Sequence, residues 1–136
     1  MSLTASAHSV SGALRQELLV DGRHHLVTDE PKRLGGGGTG PSPHELLPAA
    51  LASCISTTLV RYGLTKDWDL GTVDVDVDYD HKATPRRRFH VDIHIGAVLD
   101  NEQRTRLEKV AAACPLRRAL EAGFEFEEHL TASGSC

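Results

Sequence analysis

Two cysteines in this chain occupy positions from which a pair of thiols could do chemistry. Cys54 lies in the apolar helical run Leu46–Cys54, and Cys114 ends a second helical pattern directly before Pro115. A thiolate that attacks a peroxide becomes a sulfenic acid, which a second thiol can trap as a disulfide. Buried cysteines can equally be small apolar core residues, and the residues alone leave both interpretations open. Cys136, the last residue, is expected to be inert.

Peroxide chemistry at Cys54 requires a cation or a helix dipole nearby, because an ordinary thiol is only a few per cent ionised at neutral pH. An arginine, oriented by a carboxylate, would meet that requirement. Glu45 precedes Cys54 by nine residues, which is roughly 13 Å along an unbroken helix and about half a turn away in direction. The two side chains cannot meet on a straight helix, so either a bend at Pro48 and the preceding loop fold back, or a second subunit closes the site.

A helix is predicted to carry Cys54. Ser42 can cap this helix, Pro43 suits its first position, and Glu45 completes a capping box. The helix is expected to end at Tyr62–Gly63, where the glycine can adopt the left-handed conformation. Its apolar positions recur at helical spacing and are Leu47, Ala50, Leu51, Cys54, Thr58 and Leu59.

The remaining patterns predict an α+β fold and a single domain over residues 1–136. Asp21-Gly22 is typical of a two-residue hairpin turn, and alternation of apolar and polar residues marks the strands. In chain order we expect strands 16–20 and 24–27, a helix from Pro43, strands 73–80 and 89–95, helices from Asp100 and over 116–122, and a last strand 124–127.

Two further patterns suggest ligands but have simpler explanations. Carboxylate and imidazole side chains alternate on one face of two predicted strands, namely Asp74, Asp76, Asp78, Asp80, His90, Asp92 and His94. Nothing in their spacing sets a metal geometry, so a solvated sheet face is favoured. The glycine run 35–38 lies in a predicted flexible loop without the Gly-Lys-Ser/Thr ending of a nucleotide site. We therefore expect no metal and no cofactor.

Composition excludes several classes of partner. The 136-residue chain has a formal net charge of −4, which argues against a nucleic-acid partner. No apolar run approaches the about 20 residues of a membrane helix, and the N-terminus lacks a secretory pattern. Without a disulfide framework, the chain is predicted to be cytoplasmic, with no membrane partner. Aromatic residues make up only 4%, so the core is lean and a second copy would add burial.

The motifs together resemble the OsmC/Ohr family. The resemblance rests on Leu34–Gly36, Gly40–Leu47, Ala50–Cys54 and Ala113–Leu116, which occur in the family's order and span nearly the whole chain. It implies an OsmC-like fold, in which antiparallel sheets wrap around central helices in an intertwined homodimer. It also implies reduction of small organic hydroperoxides in oxidative stress defence, with Cys54 as peroxidatic and Cys114 as resolving cysteine.

The resemblance further implies a dihydrolipoyl protein as reductant and an arginine that stabilises the thiolate. That arginine is expected to be Arg33, with Arg15 as the alternative. The family's catalytic glutamate directly follows the motif proline, whereas here His44 holds that position and Glu45 comes next. One residue turns a helical side chain by about 100°, so Glu45 is either catalytic or only part of the cap.

That departure places the chain closer to the OsmC-like branch, and two other functions stay open. One is a non-peroxidase module that binds a small apolar ligand or senses redox state. The other is a thiol hydrolase with Cys54 as nucleophile and His44 as base.

Overall fold

The computed structural model describes residues 2–134, and its element order confirms the α+β class. Cys136 lies outside the described residues. The chain divides into two compact units: unit 1 contains the chain up to Ala52 and Asp76–Asp92, and unit 2 contains Ser53–Val75 and the chain from Ile93 onward. No helix within residues 2–134 combines the length and hydropathy that crossing a bilayer requires.

Unit 1 contains a three-stranded antiparallel sheet with the order β1-β2-β3, formed by β1 (Ala5–Ser9), β2 (Gln16–Val20) and β3 (His24–Thr28). The predicted hairpin is confirmed. Its turn residues Asp21 and Gly22 both have positive φ, 55° and 65°, which matches the twist of the flanking strands. The strand β1 was not predicted, because all five of its residues are exposed and no apolar alternation marks it.

Backbone hydrogen bonds join the glycine-rich loop of unit 1 to the residues that directly follow β3. A short 3-10 helix, Lys32–Leu34, precedes it. The amide of Gly38 donates to the carbonyl of Glu30 at 3.0 Å, and the amide of Asp29 donates to the carbonyl of Pro41 at 3.0 Å. A Cβ atom at Gly40 would lie 2.8 Å from the Val27 carbonyl oxygen. The glycines therefore permit close backbone approach.

Helix α1 (Pro43–Lys66) begins where predicted and ends later. The Ser42 amide donates to Glu45 Oε1 at 3.0 Å and the Glu45 amide donates to Ser42 Oγ at 3.3 Å, which is the predicted capping box. The predicted end at Gly63 is wrong. A Cβ atom there would lie 2.9 Å from Leu70 Cδ1, so this glycine makes room for packing, and Asp67 takes the left-handed conformation instead with φ 57°.

The core of unit 2 uses the second half of α1. Ile55 and Leu59 are almost fully buried, together with Leu70, Leu107, Ala111 and Cys114. The predicted apolar stripe is wrong at two positions. Ile55 is buried although the stripe omits it, and Ala50 is exposed although the stripe includes it. The helix therefore buries a face rotated slightly from the one that the spacing indicated.

Strands β4 (Val73–Asp80) and β5 (Arg88–Ile95) pair in a two-stranded sheet. Along β4 every valine is half-buried and every aspartate is exposed, as the alternation predicted. Helices α2 (Asn101–Ala112) and α3 (Pro115–Ala122) follow, and the Asp100–Gln103 capping box that opens α2 is formed. The predicted last strand is wrong: Phe124–Glu127 is not in a strand and Phe126 is 80% exposed. Alternation alone makes no strand without a neighbouring edge to pair with.

Candidate functional site

The structure brings the two predicted cysteines together within unit 2. The Sγ atoms of Cys54 and Cys114 lie 3.0 Å apart, although the residues are sixty positions apart in sequence, and both are free thiols. Cys114 has no exposed surface, whereas Cys54 is partly exposed. A small electrophile can therefore reach Cys54 from solvent, and the sulfur behind it is in position to react next.

The break between α2 and α3 explains the place of Cys114. Its amide donates to the Ala111 carbonyl at the end of α2, and its own carbonyl accepts from the Arg118 amide in the first turn of α3. Pro115 at the first helical position of α3 has no N–H to leave unsatisfied. The Arg117 side chain donates to the Ala112 carbonyl at 2.8 Å, which ties the two helix ends together. The cysteine is thus held at a helix N-terminus.

The two thiols titrate together, and the more acidic one is Cys114. Burial raises the pKa of Cys54, and its hydrogen bond to Cys114 raises that pKa further. Burial also acts to raise the pKa of Cys114, but hydrogen bonds from the Cys54 thiol and from the backbone amides of Arg117 and Leu116 outweigh it and lower the pKa overall. This differs from the low pKa that a peroxidatic Cys54 leads one to expect. The pKa of Cys54 is raised mainly because its side chain is buried, whereas hydrogen bonds from Cys54 and from the first amides of α3 lower the pKa of Cys114.

The position of the proton between the two sulfurs determines which cysteine can act as a base. In the fully reduced pair the Cys114 thiol donates to Cys54. Because the pKa of Cys114 is lowered and that of Cys54 is raised, Cys114 is the thiol that ionises first, and the Cys54 thiol can then donate to the Cys114 thiolate. Thr58, one turn after Cys54, also lowers the pKa of both cysteines through its hydroxyl. Cys114 can therefore act as a base toward Cys54 as well as a second thiol.

The predicted arginines and the glutamate belong to unit 1. Arg15 is already engaged: its guanidinium donates to Glu17 Oε1 at 3.1 and 3.2 Å and to Thr39 Oγ1 at 2.9 Å. Arg33 is exposed and, within residues 2–134, forms no ion pair. Hydrogen bonds from Ser42 lower the pKa of Glu45, and the charge of Arg33 lowers it further. Arg33 and Glu45 are therefore electrostatically coupled, and of the two candidate arginines Arg33 is the one without an ion pair in the described part of the chain.

A cavity of about 880 Å³ surrounds Arg33 and Glu45 in unit 1. Its wall includes the imidazoles of His44 and His81, which stack with centroids 5.6 Å apart, and the Tyr79 ring, 5.9 Å from that of His81. Its volume lies within the range of small-molecule sites. Within residues 2–134, no group of three or more His, Cys, Asp or Glu side chains is arranged to hold a metal ion.

Sequence reasoning missed Asp29, a carboxylate that is only 2% exposed. It accepts hydrogen bonds from the amides of Glu30, Gly37 and Thr39, at 2.8 to 3.3 Å, and from the Thr39 hydroxyl at 2.6 Å. The Thr39 side-chain and backbone hydrogen bonds, with further bonds from Glu30 and Gly37, outweigh desolvation and lower the Asp29 pKa to about 2. A lone aspartate ten residues before a threonine gives no sequence signal, because the glycine-rich loop must fold back first.

The depressed pKa of Asp29 predicts a specific acid sensitivity. Its folded-state pKa lies below the ordinary 3.8, so its stabilising contribution is complete above about pH 5 and is lost as the pH falls from about 4 toward 2. We expect Asp29→Asn to reduce the free energy of unfolding most at neutral pH and progressively less below pH 4. Urea unfolding at several pH values measures this. The control is Asp76→Asn, an exposed carboxamide substitution on β4, for which the difference should stay small at every pH.

The family model described as OsmC-like protein matches residues 35–129, more than two thirds of the chain. No curated protein sequence matches this chain. The structure of a protein from Psychrobacter arcticus 273-4 described as an osmotic stress induced and detoxification response protein is 26% identical with a TM-score of 0.71, covering 87% of each chain.

Two other solved structures carry names that refer to organic hydroperoxides. The Legionella pneumophila organic hydroperoxide resistance protein OsmC is 25% identical with a TM-score of 0.64, covering 88% of this chain and 89% of that one. The Bacillus subtilis organic hydroperoxide resistance protein OhrB is 18% identical with a TM-score of 0.57, covering 87% and 89%, and this shows a shared fold alone. The matched residues contain both cysteines, and the chain belongs to the OsmC-like protein family.

Proposed function

We propose that this protein is a thiol peroxidase that reduces small organic hydroperoxides through Cys54 and Cys114. One observation carries the proposal: two free thiols lie 3.0 Å apart, and only the one on α1 is accessible from solvent. The name of the Legionella protein supports the same substrate class and a role in oxidative stress defence.

The first step is attack of the Cys54 sulfur on the terminal oxygen of the hydroperoxide. The O–O bond breaks, the alcohol leaves, and Cys54 becomes a sulfenic acid. Because Cys114 has the lower pKa, it ionises first, and its thiolate takes the Cys54 proton across the short contact as the attack proceeds. The departing alkoxide takes a proton from the solvent and leaves as the alcohol. The raised pKa of Cys54 is therefore compatible with attack, provided that its proton moves to the neighbouring sulfur in the same step.

The second step forms the disulfide. Cys114 loses its proton again, attacks the Cys54 sulfur, and displaces the hydroxyl oxygen as water. The pair has then given two electrons to the peroxide, and the products are one alcohol, one water and one disulfide. Two electrons from a dithiol restore the pair, and a dihydrolipoyl protein is the proposed donor.

We assign thiolate stabilisation to Arg33 and the orientation of that arginine to Glu45. The electrostatic coupling of Glu45 to Arg33 supports this assignment. Glu45 also completes the capping box, so the same carboxylate would serve both purposes. Arg15 is the alternative, and its existing contacts with Glu17 and Thr39 make it less available.

We propose that the active form is a cytoplasmic homodimer. Apolar side chains near the end of the chain are largely exposed, with Phe124 at 59%, Phe126 at 80% and Leu130 at 92%, and a second copy could cover them. Sedimentation velocity measures the mass directly, and a monomer at micromolar concentration would contradict this assembly.

The decisive experiment is intact-protein mass spectrometry of the reduced protein after one equivalent of cumene hydroperoxide. We expect a rapid loss of two hydrogens, and peptide mapping should assign them to a Cys54–Cys114 disulfide. The Cys54→Ser variant serves as the control and should keep its mass. An unchanged mass of the wild-type protein after several minutes would exclude the peroxidase.

The raised pKa of Cys54 favours a second candidate function, a non-peroxidase that binds a small ligand or senses redox state. A protein of that kind would leave cumene hydroperoxide unconsumed in steady state, even if its thiols were slowly oxidised. Continuous turnover with a dithiol reductant therefore separates the two candidates.

A further inference from the structure

Asp29 presents a problem that the proposed reaction does not explain. Buried carboxylates are uncommon in proteins unless a cation or several donors compensate the loss of water. Within residues 2–134 the compensation comes entirely from hydrogen-bond donors of the chain between Glu30 and Thr39, and no arginine or lysine contacts the carboxylate. The carboxylate therefore organises this segment.

The segment that Asp29 organises contains Arg33 and contacts Arg15. The Thr39 hydroxyl donates its proton to Asp29 Oδ2, which leaves its oxygen free to accept from Arg15 Nη1 at 2.9 Å. On the other side, the loop begins directly after the 3-10 helix that contains Arg33, where the Gly36 amide donates to the Pro31 carbonyl at 3.2 Å. Asp29 accepts from the next amide, that of Gly37.

The chemistry of Arg15, Thr39 and Asp29 determines which group donates and which accepts in the two hydrogen bonds that join them. An arginine only donates, and an ionised carboxylate only accepts. A hydroxyl between them must donate to the carboxylate and accept from the guanidinium, so Asp29 keeps the Thr39 oxygen available as an acceptor for Arg15. Glu17 accepts the Nε and Nη2 protons on the other edge of the same guanidinium. Arg15 is consequently fixed at both edges although its side chain is 42% exposed.

We propose that Asp29, acting through Thr39 and the glycine-rich loop, is a positioning residue. It holds Arg15 and the 3-10 helix that contains Arg33 in their working geometry. It acts on Arg15 through the threonine hydroxyl and on Arg33 through the anchored start of the loop. This inference rests on the proposed function for its catalytic consequence. The geometry itself does not depend on the reaction.

The test compares Thr39→Val with Thr39→Ser. Valine keeps the shape of threonine but removes both the donor to Asp29 and the acceptor for Arg15, whereas serine keeps both. The first readout is the Nε–H resonance of Arg15 in a nitrogen–proton NMR spectrum, with Arg23, which pairs with Asp21, as internal control. We expect Thr39→Val to broaden the Arg15 signal, Thr39→Ser to restore it, and the Arg23 signal to stay unchanged.

The second readout is peroxidase turnover. Misplacing a catalytic group by even a fraction of an ångström is costly, so we expect kcat/KM of Thr39→Val to fall about tenfold, with serine restoring it. Asp29→Asn should act in the same direction, because its amide group faces the amides of Gly37 and Thr39 as a donor. Hydrogen exchange at those two amides should increase in both weakened variants.

The outcomes separate this inference from the proposed function. If Thr39→Val lowers the melting temperature while kcat/KM and the Arg15 signal stay at wild-type values, Asp29 and Thr39 are merely structural and the inference is wrong. If the wild-type protein consumes no peroxide, the proposed function fails. The Arg15 signal and loop exchange then decide the positioning role alone, and an unchanged signal in Thr39→Val overturns it.

Discussion

Replacing Cys54 by serine is expected to abolish peroxide consumption, while Cys114→Ser should allow a single turnover per chain. A serine hydroxyl is not ionised at neutral pH and does not attack the peroxide oxygen, so the first variant lacks the nucleophile. The second variant still forms the sulfenic acid, but more slowly, because it lacks the sulfur that accepts the Cys54 proton, and it has no thiol 3.0 Å away to trap the product. Excess peroxide should then drive Cys54 to sulfinic acid, which consumes one further equivalent of peroxide without regenerating the thiol. Peroxide consumption measured against enzyme concentration, with mass spectrometry of the product, distinguishes these states.

The third cysteine provides the matched control for this pair of variants. Cys136→Ser removes one thiol from the same chain, and we expect its rate and stoichiometry to equal those of the wild-type protein. Full activity in Cys54→Ser would contradict the mechanism. A stoichiometric burst in Cys54→Ser that vanishes in the double variant would instead identify Cys114, the more acidic thiol, as the attacking residue.

Replacing Arg33 by alanine is expected to lower kcat/KM by about 100-fold, the usual scale for losing one electrostatic stabiliser of a developing charge. It should also raise the apparent pKa of the thiol pair, because a nearby cation favours the thiolate. The rate of bromobimane labelling against pH measures that pKa without any peroxide. The rate profile should therefore shift to higher pH in Arg33→Ala.

Lys32→Ala is the control for this substitution, because it removes a neighbouring exposed cation from the same 3-10 helix. We expect both its thiol titration and its kcat/KM to match the wild-type protein. An unshifted titration in Arg33→Ala, together with a shifted one in Arg15→Ala, would transfer thiolate stabilisation to Arg15. A shift of the same size in Lys32→Ala would mean that general surface charge, rather than one arginine, sets the thiol pKa.

Local features of this chain were predictable from sequence because the interactions that cause them span only a few residues. The Asp21-Gly22 turn, the capping boxes at Ser42 and Asp100, and the helix break before Pro115 each depend on contacts within about four positions. The strict alternation in β4 likewise predicted which side chains are exposed. These signals were sufficient for the α+β class and, with the cysteine motifs, for the family.

Features that depend on distant parts of the chain were decided only by the tertiary structure. Gly63 stays helical because Leu70 packs against it. The strand β1, which has no apolar alternation, forms because it pairs with the edge of β2. Phe124–Glu127 is not in a strand, because an alternating sequence forms a strand only where a neighbouring strand is available for pairing.

The same division applies to the candidate site. The sequence by itself determined which residues can do chemistry: two cysteines in helical settings, with arginines and a glutamate in recognisable motifs. The tertiary structure decided that the sulfurs lie 3.0 Å apart, that Cys114 is the more acidic of the two, and that Asp29 is buried beneath the glycine-rich loop. The physical reason is that thiol acidity and carboxylate burial depend on donors and neighbours that only the folded chain brings within hydrogen-bonding distance.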